Sequence, residues 1–316
     1  MHLIPKVLNS NSTNETIKVT KIFLNPDCDF ASNIKRIFRI PLSQDCGATE
    51  LLCSKDLNEI ENRFGSEKIQ DAYILSVEAQ KITIKYATYN GLVNALSTLE
   101  QLLLDLILGK ECVRLSTGVI YDSPKYSYRG LLVDVSRHYR TIEELKKTIR
   151  LMSFYKLNFL HLHLTDDQGW RIEIKKYPKL TDGGNIRKST LLNRKGKTDS
   201  KEYGDGLFYT QDELKSLVSY ARAFGIEIVP EIDVPGHLLG AISQYPELSC
   251  SKKSVDVRVE WGVEKVIACA SSLKHLNLLR MLLTRFAIFF LANIFISVEM
   301  KCRRTSGKLV NHVKAK

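Results

Sequence analysis

Three short segments concentrate the side chains able to do chemistry: Asp134-Val135-Ser136-Arg137-His138, Thr165-Asp166-Asp167-Gln168, and Glu231-Ile232-Asp233-Val234-Pro235-Gly236-His237. Carboxylates and imidazoles that converge can carry protons, orient a polar substrate or hold a cation. The His161-x-His163 spacing before the second segment puts two imidazoles on one strand face, as the first ligands of a zinc-dependent barrel hydrolase would be. A zinc site needs more ligands than these. Beyond His138 and His237 the remaining histidines, His2, His275 and His312, fall in the termini or the tail, so no metal is expected and the imidazoles are assigned to hydrogen bonds.

The segments that must position these residues alternate in type. Strand-like Tyr128 to Ser136, Asn158 to Thr165 and Ile226 to Val234 are interleaved with helical patterns over Glu143 to Tyr155 and Gln211 to Phe224. Such alternation predicts parallel strands joined by helical crossovers. A (β/α) barrel is favoured over an open doubly wound sheet, because the polar clusters sit at the C-terminal ends of successive strands, where barrel enzymes assemble their sites. The period of two places Leu160, Leu162 and Leu164 on the helix-facing side, with His161, His163, Thr165 and Asp167 on the other. Glu227, Val229, Glu231 and Asp233 share a face in the same way. Upstream, residues 18 to 122 read as a small α+β unit: paired strands over Ala72 to Glu78 and Lys81 to Tyr86, then an amphipathic helix from Asn90 to Ile107 with a Leu92, Leu96, Leu99 and Leu103 stripe.

With 316 residues, 44% hydrophobic and 26% charged, the chain has the composition of a globular protein. Its formal charge of +11 is unevenly placed. Nine basic residues (Lys274, Arg280, Arg285, Lys301, Arg303, Arg304, Lys308, Lys314, Lys316) face one acid, Glu299, after Leu273, so the rest is near neutral and no nucleic-acid partner is expected. Phe286 to Val298 is shorter than the roughly 20 apolar residues of a spanning helix, and no membrane anchor is expected. The seven cysteines form no CxxC pair, and Met1 to Lys6 lacks a signal-peptide pattern, which leaves the compartment open. Two sequons, Asn11-Ser12-Thr13 and Asn14-Glu15-Thr16, point weakly to secretion.

Taken in order, Tyr128 to His138, His161 to Arg171, and Pro230 to His237 resemble glycoside hydrolase family 20, the β-N-acetylhexosaminidases. Tyr209-Thr210-Gln211-Asp212-Glu213 and Trp261-Gly262-Val263-Glu264-Lys265 fit the same pattern. The resemblance implies exo-cleavage of terminal N-acetylglucosamine or N-acetylgalactosamine from glycans with net retention, the substrate's own acetamido oxygen serving as nucleophile. It implies no cofactor. By the same resemblance Arg129 would bond sugar hydroxyls, Asp134 and His163 would line the site, and Asp167, Asp233 and His237 would position the catalytic acid pair. On the residues alone, Arg129 and Asp134 could equally form a buried ion pair, and His237 could bond a backbone group in the Pro235-Gly236 turn. Family members are often lysosomal or secreted.

The family's Asp-Glu pair, within a His-x-Gly-Gly-Asp-Glu signature, is absent from this chain, so no catalytic residue is assigned. Shifted by one base, codons for Phe295 to Arg303 can read His-Ile-Gly-Gly-Asp-Glu-Val-Pro, which points to a frameshift between about Ala270 and Lys274. The expected fold class is therefore α/β: residues 1–122 form an α+β accessory domain and 126–271 an incomplete (β/α)8 TIM-type barrel, followed by a non-family tail over 272–316. Without the acid pair the chain as written is expected to be inactive. A non-catalytic N-acetylhexosamine-binding remnant and a metal-dependent barrel hydrolase using His161 and His163 are the alternatives.

Overall fold

The structure, a computed structural model, describes residues 3 to 282 apart from 194, 263, 272, 275 and 279. The shifted-frame segment, most of the basic tail, and His2, His275 and His312 lie outside the described residues. The chain divides into two units: Met1–Val133 with Arg140–Leu162 and Asp212–Val229, and Asp134–Tyr139 with His163–Gln211 and the chain from Pro230 onward.

The first unit is built on a seven-stranded mixed sheet. Its strands are β1 (Asn9–Val19), β2 (Ile22–Leu24), β3 (Leu42–Ser43), β4 (Thr49–Lys55), β5 (Tyr73–Val77), β6 (Lys81–Tyr86) and β7 (Val113–Asp122), in the order β1-β7-β5-β6-β4-β2-β3. Helices α1 (Ala31–Ile37), α2 (Leu57–Phe64), α3 (Tyr89–Leu102) and α4 (Leu104–Ile107) complete this part. The expected strand pair is present as β5 and β6, antiparallel with Tyr73 opposite Tyr86. The long helix is in place but interrupted at Leu103, and it is buried well beyond its leucine stripe, from Gly91 to Gln101. The reason is that α3 packs on β5 and β6 and also against α5 (Ile142–Phe154). Its polar residues are accordingly bonded: Asn94 Nδ2 donates to the Asp71 carbonyl at 3.0 Å, Ser97 Oγ to that of Ser153 at 2.9 Å, and Gln101 Nε2 to that of Phe154 at 2.9 Å.

Beneath this lies one buried ion pair. Lys156 Nζ donates to Asp122 Oδ2 at 2.7 Å and to Tyr73 Oη at 2.9 Å, while Tyr73 donates to the same carboxylate oxygen at 2.9 Å. Lys156 adopts φ 59, a left-handed conformation, just after α5. Helix α5 itself starts on a capping box: the Glu144 N–H donates to Thr141 Oγ1 at 3.2 Å and the Thr141 N–H to Glu144 Oε2 at 2.7 Å.

The second sheet comprises β8 (Gly130–Asp134), β9 (Phe159–Asp166), β10 (Gly169–Trp170) and β11 (Glu227–Ile232), with β9 pairing to β8, β10 and β11. The Asn158 N–H donates to the Arg129 carbonyl at 3.0 Å, and the Val135 N–H to that of His163 at 3.2 Å, the running order of parallel neighbours. Helices α5 and α7 (Gln211–Ala223) are the crossovers, so the strand and helix alternation is observed with bounds within two residues for the helices. This is an α/β fold with a partial barrel. One part was not foreseen. After Asp166 the chain reverses through Asp167-Gln168 and β10 runs antiparallel to the end of β9, with Gly169 opposite Asp166. Short helices α6 (Lys179–Asp182) and α8 (Leu239–Gln244) finish the described elements, with a 3-10 turn at Pro246–Leu248.

Candidate active site

The ends of β8, β9 and β11 deliver their polar groups to one buried cluster in the second unit, centred on Asp166. His163 Nε2 lies 2.7 Å from Asp166 Oδ2, and His237 Nδ1 lies 3.1 Å from Asp166 Oδ1. Arg137 forms a short ion pair with Asp166 and a second at 2.8 Å with Asp134 Oδ2. The other nitrogen of His163, Nδ1, faces Glu231 Oε2 at 2.9 Å. Both nitrogens of one imidazole thus lie within ion-pair distance of carboxylate oxygens, which favours the charged ring.

The electrostatics agree with that reading. Burial opposes charge on His163, but the hydrogen bonds to Asp166 and Glu231 outweigh it and raise its pKa to about 9. His237 is raised to about 10, chiefly by Asp166 and then Asp167. Asp166 is desolvated, yet His163, His237 and Arg137 hold its carboxyl well below the usual range. The cluster thus gathers three basic side chains, His163, His237 and Arg137, with five acidic ones, Asp134, Asp166, Asp167, Glu231 and Asp233.

Asp167 is fully buried, accepts from the Leu239 N–H through Oδ1 at 3.1 Å, and has Oδ2 3.3 Å from His237 Nδ1. Asp134 accepts from the N–H groups of Ser136 and Arg137, both at 3.0 Å, which turns the chain sharply at the end of β8. His237 sits at φ 54, so its reach toward Asp166 depends on a backbone conformation that non-glycine residues adopt at a cost. Behind the cluster Arg171 is fully buried and donates to the carbonyls of Ser136 at 3.0 Å, Asn185 at 2.9 Å and Leu207 at 3.0 Å, joining three loops; burial lowers its pKa to about 10.

Asp134, His163, Asp167, Asp233 and His237 lie together around Asp166. Arg129 is not among them. In the first unit its guanidinium pairs with Asp71 through Nη1 at 3.2 Å and donates to the carbonyls of Lys156 at 2.7 Å and Tyr126 at 2.8 Å. The alternative Arg129–Asp134 ion pair is also corrected: Arg129 pairs with Asp71 and Asp134 with Arg137. Likewise His237 bonds a carboxylate and not a turn carbonyl. The sequence reading passed over Asp166 because strict alternation put it on the leucine face. The two-residue reversal at Asp167-Gln168 resets that alternation, and the acidic doublet followed by Gly169 was its signal.

Among the described residues, two groups have ligand atoms close enough for a cation, His163 with Asp166 and Asp233, and Asp166 with Asp167 and His237. A cation at either group would compete with the imidazole protons that the surrounding carboxylates favour.

Polar side chains gathered at the C-terminal ends of β8, β9 and β11 follow the arrangement of (β/α) barrel folds. Residues 126–296 match the family description "Glycosyl hydrolase family 20, catalytic domain", and the chain belongs to that family. It is 37% identical over 205 residues to a β-hexosaminidase of Porphyromonas gingivalis, covering 64% of this chain and 25% of the relative. To a β-hexosaminidase of Akkermansia muciniphila it is 38% identical over 237 residues, 73% of this chain and 44% of the relative. A solved family 20 exo-β-N-acetylglucosaminidase of Vibrio harveyi, in complex with N-acetylglucosamine, superposes with a TM-score of 0.72 at 27% identity over 93% of this chain and 46% of that one. The chain thus spans less than half the length of these relatives.

Proposed function

We propose that this chain carries the sugar-recognising part of an exo-acting hydrolase for glycans ending in N-acetylglucosamine or N-acetylgalactosamine. The observation that supports it most is the Asp166 cluster, in which buried His163 and half-buried His237 both contact carboxylate oxygens near the ends of three strands. In the reaction we assign, the acetamido oxygen attacks the anomeric carbon, the bond to the leaving oxygen breaks, and a cyclic cation forms. The carboxylates of Asp233, Asp167 and Glu231 favour that cation. His237, braced by Asp166 and Asp167, positions the group that protonates the leaving oxygen.

That acid and its neighbouring Asp have no counterpart here, since Glu299 is the one acid after Leu273. We therefore assign this chain recognition without efficient turnover, and we attribute the loss to a change of reading frame near Ala270. The same reading takes 1–122 as an accessory domain, 126–271 as barrel and 272–316 as shifted-frame tail. An assay pairing binding with turnover of 4-nitrophenyl N-acetyl-β-D-glucosaminide tests both halves. Saturable binding without nitrophenol release is expected. Release at the rate of a full-length relative contradicts the missing acid, failure to bind contradicts sugar recognition, and codons in the DNA incompatible with the shifted frame contradict the frameshift.

A further inference from the structure

Cys28 and Cys53 are free thiols 25 positions apart that the fold of the first unit brings together. Strand β2 pairs with β4 as far as Leu24, opposite Leu51, and then leaves the sheet. The chain after it still tracks β4: the Asn25 N–H donates to the Leu51 carbonyl at 3.0 Å and the Asp29 N–H to the Cys53 carbonyl at 3.2 Å. Between these two bonds the Cys53 N–H donates to Cys28 Sγ at 2.9 Å, so a sulfur stands where a strand carbonyl would. The Cys28 thiol donates in turn to the Leu51 carbonyl at 3.3 Å. The two thiols also bond to each other, and that contact is the largest influence on both: it lowers the pKa of Cys28 and raises that of Cys53, which burial raises further.

A buried cysteine is ordinarily a small inert side chain. This pair differs in having a second thiol at hand and in its unequal cover. Cys28 lies on a turn where Pro26, Asp27, Asp29 and Phe30 are all exposed, whereas Cys53 sits inside the sheet with no exposed surface. Joining the two sulfurs strands no polar group, because the Leu51 carbonyl keeps the Asn25 N–H and a disulfide sulfur can still accept from the Cys53 N–H.

We propose that Cys28 and Cys53 are a dithiol oxidation site, closed to a disulfide by a low-molecular-weight disulfide such as oxidised glutathione. Cys28, as thiolate, attacks one sulfur of the reagent; the reagent's S–S bond breaks, and the departing thiolate takes up the proton that Cys28 lost. The Cys53 thiol then gives up its proton and attacks the Cys28 sulfur, expelling the second reagent thiolate, which takes that proton. Two protein thiols are oxidised by two electrons, and one reagent disulfide is reduced to two thiols. The product ties β4 to the turn before α1. The second unit holds a tie of this kind in Cys250–Cys269, at whose base the Ala268 N–H donates to the Pro235 carbonyl at 2.8 Å and the Cys269 N–H to that of Leu248 at 2.7 Å. The site belongs to the first unit and does not depend on the sugar-binding reading.

The test incubates the full chain with oxidised glutathione at about pH 8, near the ordinary thiol pKa, blocks remaining thiols with iodoacetamide in denaturant, and maps the peptides by mass. The peptides of Cys28 and Cys53 are expected to be joined, lighter by about 2 Da than the reduced pair for the two hydrogens lost. In Cys53→Ser the reaction stops halfway, with glutathione held on Cys28. In Cys28→Ser the buried Cys53 stays free and is alkylated only after unfolding. Wild-type chain in which Cys28 and Cys53 are both alkylated, or in which Cys28 is joined to Cys46 or Cys112 instead, overturns the site, and this arm needs no variant to fold. Glutathione on Cys53 in Cys28→Ser, with none on Cys28 in Cys53→Ser, overturns Cys28 as the point of attack.

Discussion

Two buried ionic clusters among the described residues, that of Lys156 in the first unit and that of Asp166 in the second, are composed very differently. In the first unit Lys156, Asp122 and Tyr73 form a closed account: one cation, one carboxylate, and a phenol that donates to that same carboxylate. In the second, three basic side chains share five acidic ones, and Asp167 Oδ2 makes no well-formed hydrogen bond among the described residues. A closed pair holds elements together and has nothing left for a ligand. An open cluster with acceptors left over is poorer as glue and better suited to a site.

The contrast can be broken most severely from its closed side. Lys156→Met leaves Asp122 buried without its cation, and equilibrium urea unfolding is expected to show a loss of about 3–5 kcal/mol. Adding Asp122→Asn should recover part of that loss; no recovery would mean that the pair is not the source. Opening the Cys250–Cys269 loop with Cys250→Ser and Cys269→Ser removes a crosslink across 19 positions, for which about 3 kcal/mol is expected. A change under about 1 kcal/mol in the same unfolding measurement would show that the loop is held by its hydrogen bonds alone.

Asp166→Asn should be milder in stability, at about 1–3 kcal/mol, because other acids remain near the imidazoles. Its sharper signature is in titration. The pKa values of His163 and His237, about 9 and about 10 in the native protein, should drop toward the ordinary 6.5 when followed by imidazole NMR. The wild-type pH profile separates the clusters by sign. Because the two histidines are raised in the folded state, their contribution is complete below about pH 6.5 and is lost as pH climbs through 9 and 10. Asp166, held low, contributes above the ordinary carboxylate range and is lost as pH falls below it. Burial lowers Lys156, so its own titration acts in the opposite direction at alkaline pH. Stability unchanged between pH 7 and 10 in a chain whose Asp166→Asn variant behaves identically would remove the imidazolium account. The smallest effect belongs to neither cluster: Thr141→Ala removes the cap of α5, for about 1 kcal/mol by thermal unfolding.

Much of this arrangement was legible in the sequence, where the physics is local. The leucines of β9 and the helical pattern of α5 follow from side-chain periodicity, and the strand-end acids follow from the alternation of strands with helices. What escaped was set by geometry beyond the periodic pattern. Asp166 turned inward because a two-residue reversal ended the alternation, Arg129 found Asp71 far away in sequence, and Cys250 and Cys269 met only because the chain loops back along Pro235 and Leu248. The polar residues of α3 became buried for a similar reason, a second packing partner in α5 that helical periodicity does not reveal.

The central claim is that the open cluster recognises a terminal N-acetylhexosamine. Calorimetric titration of the full chain with N-acetylglucosamine and with glucose, which lacks the acetamido group, tests it most directly. Saturable binding of N-acetylglucosamine at least about tenfold tighter than glucose, lost in Asp233→Asn, is the predicted result. Equal affinity for the two sugars, or binding that survives Asp233→Asn unchanged, would contradict the account.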